Sequence, residues 1–288
     1  MANTIADRVY RDKYRKASLE QVLRNALVCE KICEVDRSDN KRIENPFGSQ
    51  PTATIQAIAG TYTLVEYQNT DDVLTVTDEV VVAEHIFDFE STLTQFNLFA
   101  NRTDEQNYAV AYAIDYSVLN QLCEDGTGTY ATPAGGFTTA ANINVIMSNL
   151  ISKVSGYADT YKGLFLVVEN TDIVGFVQAQ ATNGFSFADA TLKNGWMTNY
   201  MGVDIYVVRG GTFVTANIGT RTGGTTISNS GHRVFGVKNV ATYACPRGIR
   251  FEEKDVTLKT GKEVVTYGYI GFKLWTPKAA LIVDITIA

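Results

Sequence analysis

The chain has 288 residues, 45% of them hydrophobic and only 19% charged, with a formal net charge of −6. That length allows one elaborate domain or two closely joined ones around a sizeable core, and the acidic balance excludes a nucleic-acid binder of the basic kind. No apolar run approaches the ~18 residues a membrane span needs, and the start, MANTIADRVYRDKYRKASLEQ, lacks an apolar signal core, so the expected compartment is a cytosol.

Residues 1–42 hold ten basic and seven acidic residues and form the basic end of the chain. Within them Ala17 to Glu34 reads as a helix: Ser18 caps it, Gln21 stands three residues later, and Val22, Leu23, Ala26, Leu27 and Cys33 form an apolar stripe. Asn45, Pro46, Gly48, Ser49 and Pro51 then read as breakers. Cys29 and Cys33 share a helix face, and with Cys123 and Cys245 they read as buried small hydrophobes of a reducing compartment.

From Thr52 the period changes to two. Ile55, Ala57, Tyr62 and Leu64 belong to one expected strand and Val73 to Ala83 to the next, with a turn at Gln68 to Asp72. Residues 52–90 contain Glu66, Asp71, Asp72, Asp78, Glu79, Glu84, Asp88 and Glu90 but no Lys or Arg.

Thr103 followed by Gln106 has the spacing of a capping box, and Val110, Ile114, Val118 and Leu122 repeat every four residues until Gly126, which predicts a helix at about 103–124. A second helix begins near Thr138 or Thr139 and aligns Ile143, Ile146, Met147, Leu150, Ile151 and Val154. The apolar strand Leu164 to Val168, a short helix over Asp172 to Ala181 and the strand Val203 to Val208 follow. Arg209 to Gly231, rich in Gly, Thr, Ser and Asn, reads as a mobile surface loop. Strands are then expected at Ile249 to Glu252, Asp255 to Leu258, Glu263 to Trp275 and Ala280 to Ile287, and residues 221–278 hold ten basic against four acidic residues. The fold class is α+β.

Little of this points to catalysis. The two histidines are far apart: His85 lies in an apolar strand and reads as structural, while His232, after Ser230 and Gly231, closes the expected loop, where a catalytic group lacks rigid support. Gly126-Thr127-Gly128 and Gly135-Gly136 lack the Lys of a nucleotide loop, and neither Asp71-Asp72 nor Glu252-Glu253 shares a face in extended chain. Asn101-Arg102-Thr103 fits a glycosylation sequon, accidental in a cytosol. Tyr10 and Tyr14 among Arg8, Arg11, Lys13, Arg15 and Lys16 are compatible with a basic-aromatic nucleic-acid segment or with a solvated arm packed on a neighbour. No catalytic, metal or cofactor site is expected. Charge segregated without chemistry suits an assembly protein.

The order of these segments resembles the tailed-bacteriophage major capsid protein family. Pro246-Arg247-Gly248-Ile249, the run Gly268 to Pro277, and Gly195-Trp196 through Gly202 to Val207 are similar to phrases of that family. The resemblance implies an N-terminal arm at 1–51, an extended β-hairpin loop at 52–90, a peripheral domain at 91–137 with a spine helix, an axial domain at 138–245 with its loop at 209–231, and a return to the peripheral domain at 246–288. It also implies hexamers and pentamers of the chain itself, building an icosahedral virion shell around nonspecifically held double-stranded DNA in the host cytoplasm. A separate scaffolding protein, a portal protein and decoration proteins are the further partners it implies. Members with covalent crosslinks use a Lys in the extended loop; residues 52–90 have none, so no such crosslink is expected.

A two-stranded loop needs a packing partner. The expected contacts pair Glu66, Asp71, Asp72, Asp78 and Glu79 with Arg247, Arg250, Lys254, Lys259 and Lys262 of a neighbour, and leave Arg8, Arg11, Lys13, Arg15 and Lys16 as the DNA-facing residues of the arm. An encapsulin-like compartment shares the implied fold; a cytosolic α/β hydrolase using His85 or His232 is the reading from another class.

Overall fold

The computed structural model describes residues 27–48, 69–86, 98–154, 163–182, 199–213, 215–217, 226–255 and 261–288, with the isolated positions 55, 58 and 60. In chain order the elements are the single helical turn α1 (Cys29–Ile32), β1 (Glu34–Asp36), β2 (Arg42–Gly48), β3 (Asn69–Thr75), β4 (Asp78–Ile86) and α2 (Leu98–Asp125). Next come β5 (Gly128–Ala131), a 3₁₀ turn (Gly136–Thr138), α3 (Ala140–Val154), β6 (Leu164–Glu169), α4 (Ile173–Thr182), β7 (Asn199–Tyr200) and β8 (Val203–Val208). The rest are β9 (Thr215–Asn217), β10 (Thr226–Ser228), β11 (His232–Val237), β12 (Ala241–Ala244), β13 (Arg250–Asp255), β14 (Lys262–Leu274), a 3₁₀ turn (Thr276–Leu281) and β15 (Ile282–Thr286).

Helix α2 organises the molecule. Val110, Ile114, Val118 and Leu122 are buried, as their spacing requires, and 28 residues give a rod of about 42 Å. It starts at Leu98, not at the expected cap Thr103, since nothing in Leu98 to Arg102 breaks a helix. Gln106 is no cap partner: buried, it donates from Nε2 to Glu84 Oε2 at 3.1 Å, and its Oε1 accepts from the Thr266 hydroxyl at 2.8 Å. It ties α2 to β4 and β14. Midway along α2, the Asp115 carboxylate accepts the N–H groups of Val28 (3.0 Å) and Cys29 (2.9 Å). The N-cap of α1 is Val28, which has no side-chain acceptor, so a distant residue satisfies the first donors of the turn. Of the helix expected over Ala17 to Glu34, residues 17–26 lie outside the described residues, and Glu34 opens β1.

One sheet has six strands in the order β5-β15-β11-β6-β8-β7. Strands β6 and β8 are parallel, joined through α4, and β6 reads as a continuous apolar run because both its faces are covered. Helices α3 and α4 pack together, and α4 sits on the first 3₁₀ turn at Gly175, where an added Cβ would fall 1.9 Å from the Phe137 carbonyl oxygen.

The second sheet runs β1-β12-β14-β13, with β4 also pairing β14. Residues 262–270 of β14 pair with β4, residues 262–267 with β13 and residues 271–274 with β12. Between the last two pairings, residues 245–249 oppose only residues 268–270, and the surplus chain turns through Arg247 (φ 62) and Gly248 (φ 67). Along β14, Val264, Thr266, Gly268 and Ile270 are buried while Tyr269 faces out. One core joins α2 to both sheets; a smaller cluster of Leu74, Val76, Ala244 and Trp275, with Ile43 against it, lies apart.

Several expectations change. The turn at Gln68 to Asp72 is wrong, because Asn69 to Asp72 are already in β3, and β3 pairs with β2 from Arg42↔Thr75 to Gly48↔Asn69. The breakers Asn45, Pro46 and Gly48 are part of β2; proline is tolerated in a ribbon with an outward edge. The expected first strand at 55–64 lies outside the described residues except for positions 55, 58 and 60. The strand Val73 to Ala83 is two strands, because the chain crosses β14 at Gly271, where a Cβ would stand 3.1 Å from Leu74, Thr75 and Val76. Asp255 closes β13 and begins no strand of its own, and residues 256–258 lie outside the described residues. The loop 209–231 contains the antiparallel ribbon β9–β10. Strand membership also crosses the expected segment boundaries: β5 and β15 belong to the six-stranded sheet, and β12 to the sheet built on β14.

Candidate assembly surface

Two acids of the stretch are bound within their own chain: Glu84 by Gln106, as described above, and Asp72. Asp72 is buried; its Oδ2 accepts both the N–H (2.9 Å) and the hydroxyl (2.8 Å) of Thr276, and Lys273 Nζ lies 3.0 Å from Oδ1. Burial pushes its pKa up, but the Thr276 N–H, the Lys273 ammonium and the Thr276 hydroxyl outweigh it and hold the carboxyl below its usual value. Beside it, Trp275 donates from Nε1 to Thr242 Oγ1 at 2.9 Å and closes the small cluster under β3. Asp72 therefore fastens the β2–β3 ribbon to its own chain, a correction to its expected place opposite a neighbour's cation.

The remaining acids of this stretch differ in exposure. Asp71 and Glu79 are exposed, Asp78 is half-buried at the start of β4, and Glu66 lies outside the described residues. Of the basic set, Arg247 Nε reaches Asp39 Oδ1 at 3.1 Å, Lys254 Nζ reaches Glu252 Oε2 at 3.2 Å, and Lys262 pairs with Glu253. All three pairs are solvent-facing, where such bonds are worth ~0–1 kcal/mol and exchange easily. Arg250 is exposed at the start of β13 opposite Tyr267, while Lys259 and the arm residues Arg8, Arg11, Lys13, Arg15 and Lys16 lie outside the described residues.

The feet of the 209–231 segment are held more firmly than its composition suggests. Glu169, at the end of β6, accepts the N–H groups of Gly211 (3.0 Å) and Phe213 (3.2 Å) on Oε1, and Arg233 Nη2 at 3.1 Å on Oε2. Arg233 Nε donates to Asp172 Oδ2 at 2.5 Å, and the same oxygen accepts the Glu169 N–H at 3.0 Å. The guanidinium lies 5.4 Å from the centre of the Phe213 ring. On α2, the Asn120 amide donates to the Thr212 carbonyl at 2.7 Å, and its backbone carbonyl accepts from Asn229 Nδ2 at 2.9 Å. One residue of the long helix thus touches both feet. None of these residues stood out in the sequence, although a lone arginine in the apolar run Arg233 to Val237 already asks for a buried counter-ion.

Both histidines lie in strands. His85 is half-buried in β4 opposite Glu263. His232 is not in a loop: it opens β11, and its Nδ1 lies 2.9 Å from both Asp284 oxygens. The Cys123 thiol, buried next to Asp284, has its pKa raised by burial and then by that carboxylate, the reverse of an activated thiolate. Burial likewise raises Cys29 and Cys33, both further raised by Asp115, in keeping with inert core thiols. Among the described residues no group of His, Cys, Asp and Glu side chains is arranged to hold a metal ion, and no helix is long and apolar enough to cross a membrane.

No family model matches the sequence, and no curated protein matches it. Solved structures do. The chain aligns with the capsid of the cyanophage P-SCSP1u at a TM-score of 0.71 and 14% identity, covering 93% of this chain and 90% of that one. It aligns with the mature capsid of bacteriophage PhiM1 at 0.68 and 10% identity (93% and 89% covered), and with the capsid of a native GTA particle at 0.67 and 14% (93% and 92%). The fold is that of the tailed-phage major capsid proteins. At such low identities the agreement lies in the path of the chain. Helix α2 covers the helix that the sequence places at 103–124, and among the described residues β2–β3 and β9–β10 form two-stranded ribbons.

Proposed function

We propose that the chain is the structural subunit of an icosahedral shell, assembled from hexamers and pentamers of itself and enclosing double-stranded DNA. The observation that carries this reading is the likeness to three capsids over about nine-tenths of each chain. Residues 1–51 serve as the arm, 52–90 as the extended loop, 91–137 and 246–288 as the peripheral part and 138–245 as the axial part. A scaffolding protein, a portal and decoration proteins are the further partners this role calls for.

In that role the exposed carboxylates Asp71 and Glu79 face cations of a neighbouring copy, with Arg250 and the exchangeable Arg247, Lys254 and Lys262 as partners. Such rim charges set orientation and encounter more than affinity. With no Lys in residues 52–90, the shell is held without the loop crosslink.

Electron microscopy of the purified protein tests the proposal. Closed icosahedral particles are expected, and a persistent monomer overturns it. Nuclease-protected duplex DNA inside particles from infected cells is expected for a phage shell; particles that always hold protein cargo instead mean a compartment. Denaturing electrophoresis of the particles is expected to give a single subunit band, and a ladder of covalent multimers refutes the absence of crosslinks.

A further inference from the structure

The residues between the feet of the 209–231 segment are mostly Gly, Thr, Ser and Asn, with Val214, Ala216, Ile218 and Ile227 scattered among them and Arg221 as the one charged member between 214 and 228, so they carry little contiguous apolar surface with which to orient themselves. The direction of the β9–β10 ribbon must therefore come from below. There the chain uses a buried ionic cluster: the Arg233, Asp172 and Glu169 side chains are 5%, 4% and 12% exposed. For stability alone this is a poor solution, because apolar residues of equal volume generally serve as well or better in such a place. What apolar residues lack is acceptors. Glu169 Oε1 takes two backbone N–H groups of the first foot, Gly211 and Phe213, while Arg233 holds the carboxylate in place from the other side. The second foot, at Asn229, meets the first through Asn120 of α2.

We propose that Glu169 and Arg233 are positioning residues for assembly: they fix the bearing of the β9–β10 ribbon against α2, so that it meets a second copy of this chain in one direction. The inference rests on the shell reading above. It separates the cluster from ordinary core packing, since its loss disturbs association more than a core change of equal cost to the stability of the subunit does.

Glu169→Met removes the acceptors and keeps the volume, and Glu169→Gln keeps one acceptor oxygen. Amide hydrogen exchange of dissociated subunits is expected to quicken at least ten-fold at Gly211 and Phe213 in Glu169→Met, with β6 and β11 unchanged, and the yield of closed particles to fall at least ten-fold. Glu169→Gln is expected to restore part of both. As the control, Ile143→Ala, a core change whose expected cost is of the same order, is expected to assemble normally. Normal particle yield from Glu169→Met, or unchanged exchange at Gly211 and Phe213, overturns the proposal while leaving the shell reading intact. So does a yield that follows melting temperature equally in Ile143→Ala. Wild-type protein that forms no particles overturns both. If Glu169→Met does not fold, Glu169→Gln decides, with intermediate exchange and yield expected and wild-type values for both overturning the proposal.

Discussion

The ribbons β2–β3 and β9–β10 are fastened in the same manner and in different surroundings. Each is too small to be stable alone, and each is held by a carboxylate that accepts backbone N–H groups across a gap in sequence. Asp72 works at the margin, over a separate cluster of four buried residues, with Lys273 still one-third exposed. Glu169 works inside the main core, with a guanidinium and a second carboxylate closed around it. The first ribbon should open at modest cost, whereas opening the second uncovers a buried ionic cluster and takes from Glu169 Oε1 its two N–H donors. In the proposed shell a subunit gains from this inequality, since one attachment can adjust while the other keeps its direction.

The largest test of the comparison is Arg233→Met. It strands two buried carboxylates and is expected to cost about 3–5 kcal/mol in denaturant unfolding of the subunit; a loss as small as that of a surface pair would erase the distinction between the ribbons. Leu74→Ala follows, at about 2–5 kcal/mol of local stability. Its effect is expected as faster proteolysis around β3, with amide exchange of the six-stranded sheet unchanged. Asp72→Asn is expected to cost about 1–2 kcal/mol and to change a pH profile as well. Because the folded-state pKa of Asp72 is lowered, its contribution is whole above the ordinary carboxylate value of about 4 and is lost as pH falls through the lowered value. The variant should lose that part of the acid dependence of β3 protection. Smallest is Arg247→Ala, expected to change stability by ~0.5 kcal/mol or less, since its partner Asp39 is as exposed as it is.

Periodicity carried much of the fold. The strand Val203 to Val208 and the buried face of α3 follow from spacing alone, because their apolar residues meet one continuous core. Partners across long gaps did not follow. Nothing local tells β3 to choose β2 over the residues after Pro51, or places β15 beside β5, since pairing is settled by packing in the assembled core. At the surface, counting charges found the acidic stretch but could not separate Asp72, turned inward to Thr276, from exposed Asp71 next to it, because alternation gives faces and not occupants. The feet of the 209–231 segment escaped for a related reason. Their composition speaks only of the segment, while their order is supplied by Glu169, Asn120 and Arg233 from three other elements.

Strand β15 lies between β5 and β11, and among the described residues β5 pairs with nothing else. During synthesis, β5 and one edge of β11 must wait for residues 282–286 to leave the ribosome. A chain stopped short of them carries open strand edges of the kind that invite aggregation. Subunits interrupted in translation before residue 282 cannot complete the sheet from which β11 and Arg233 hold the feet of the β9–β10 ribbon.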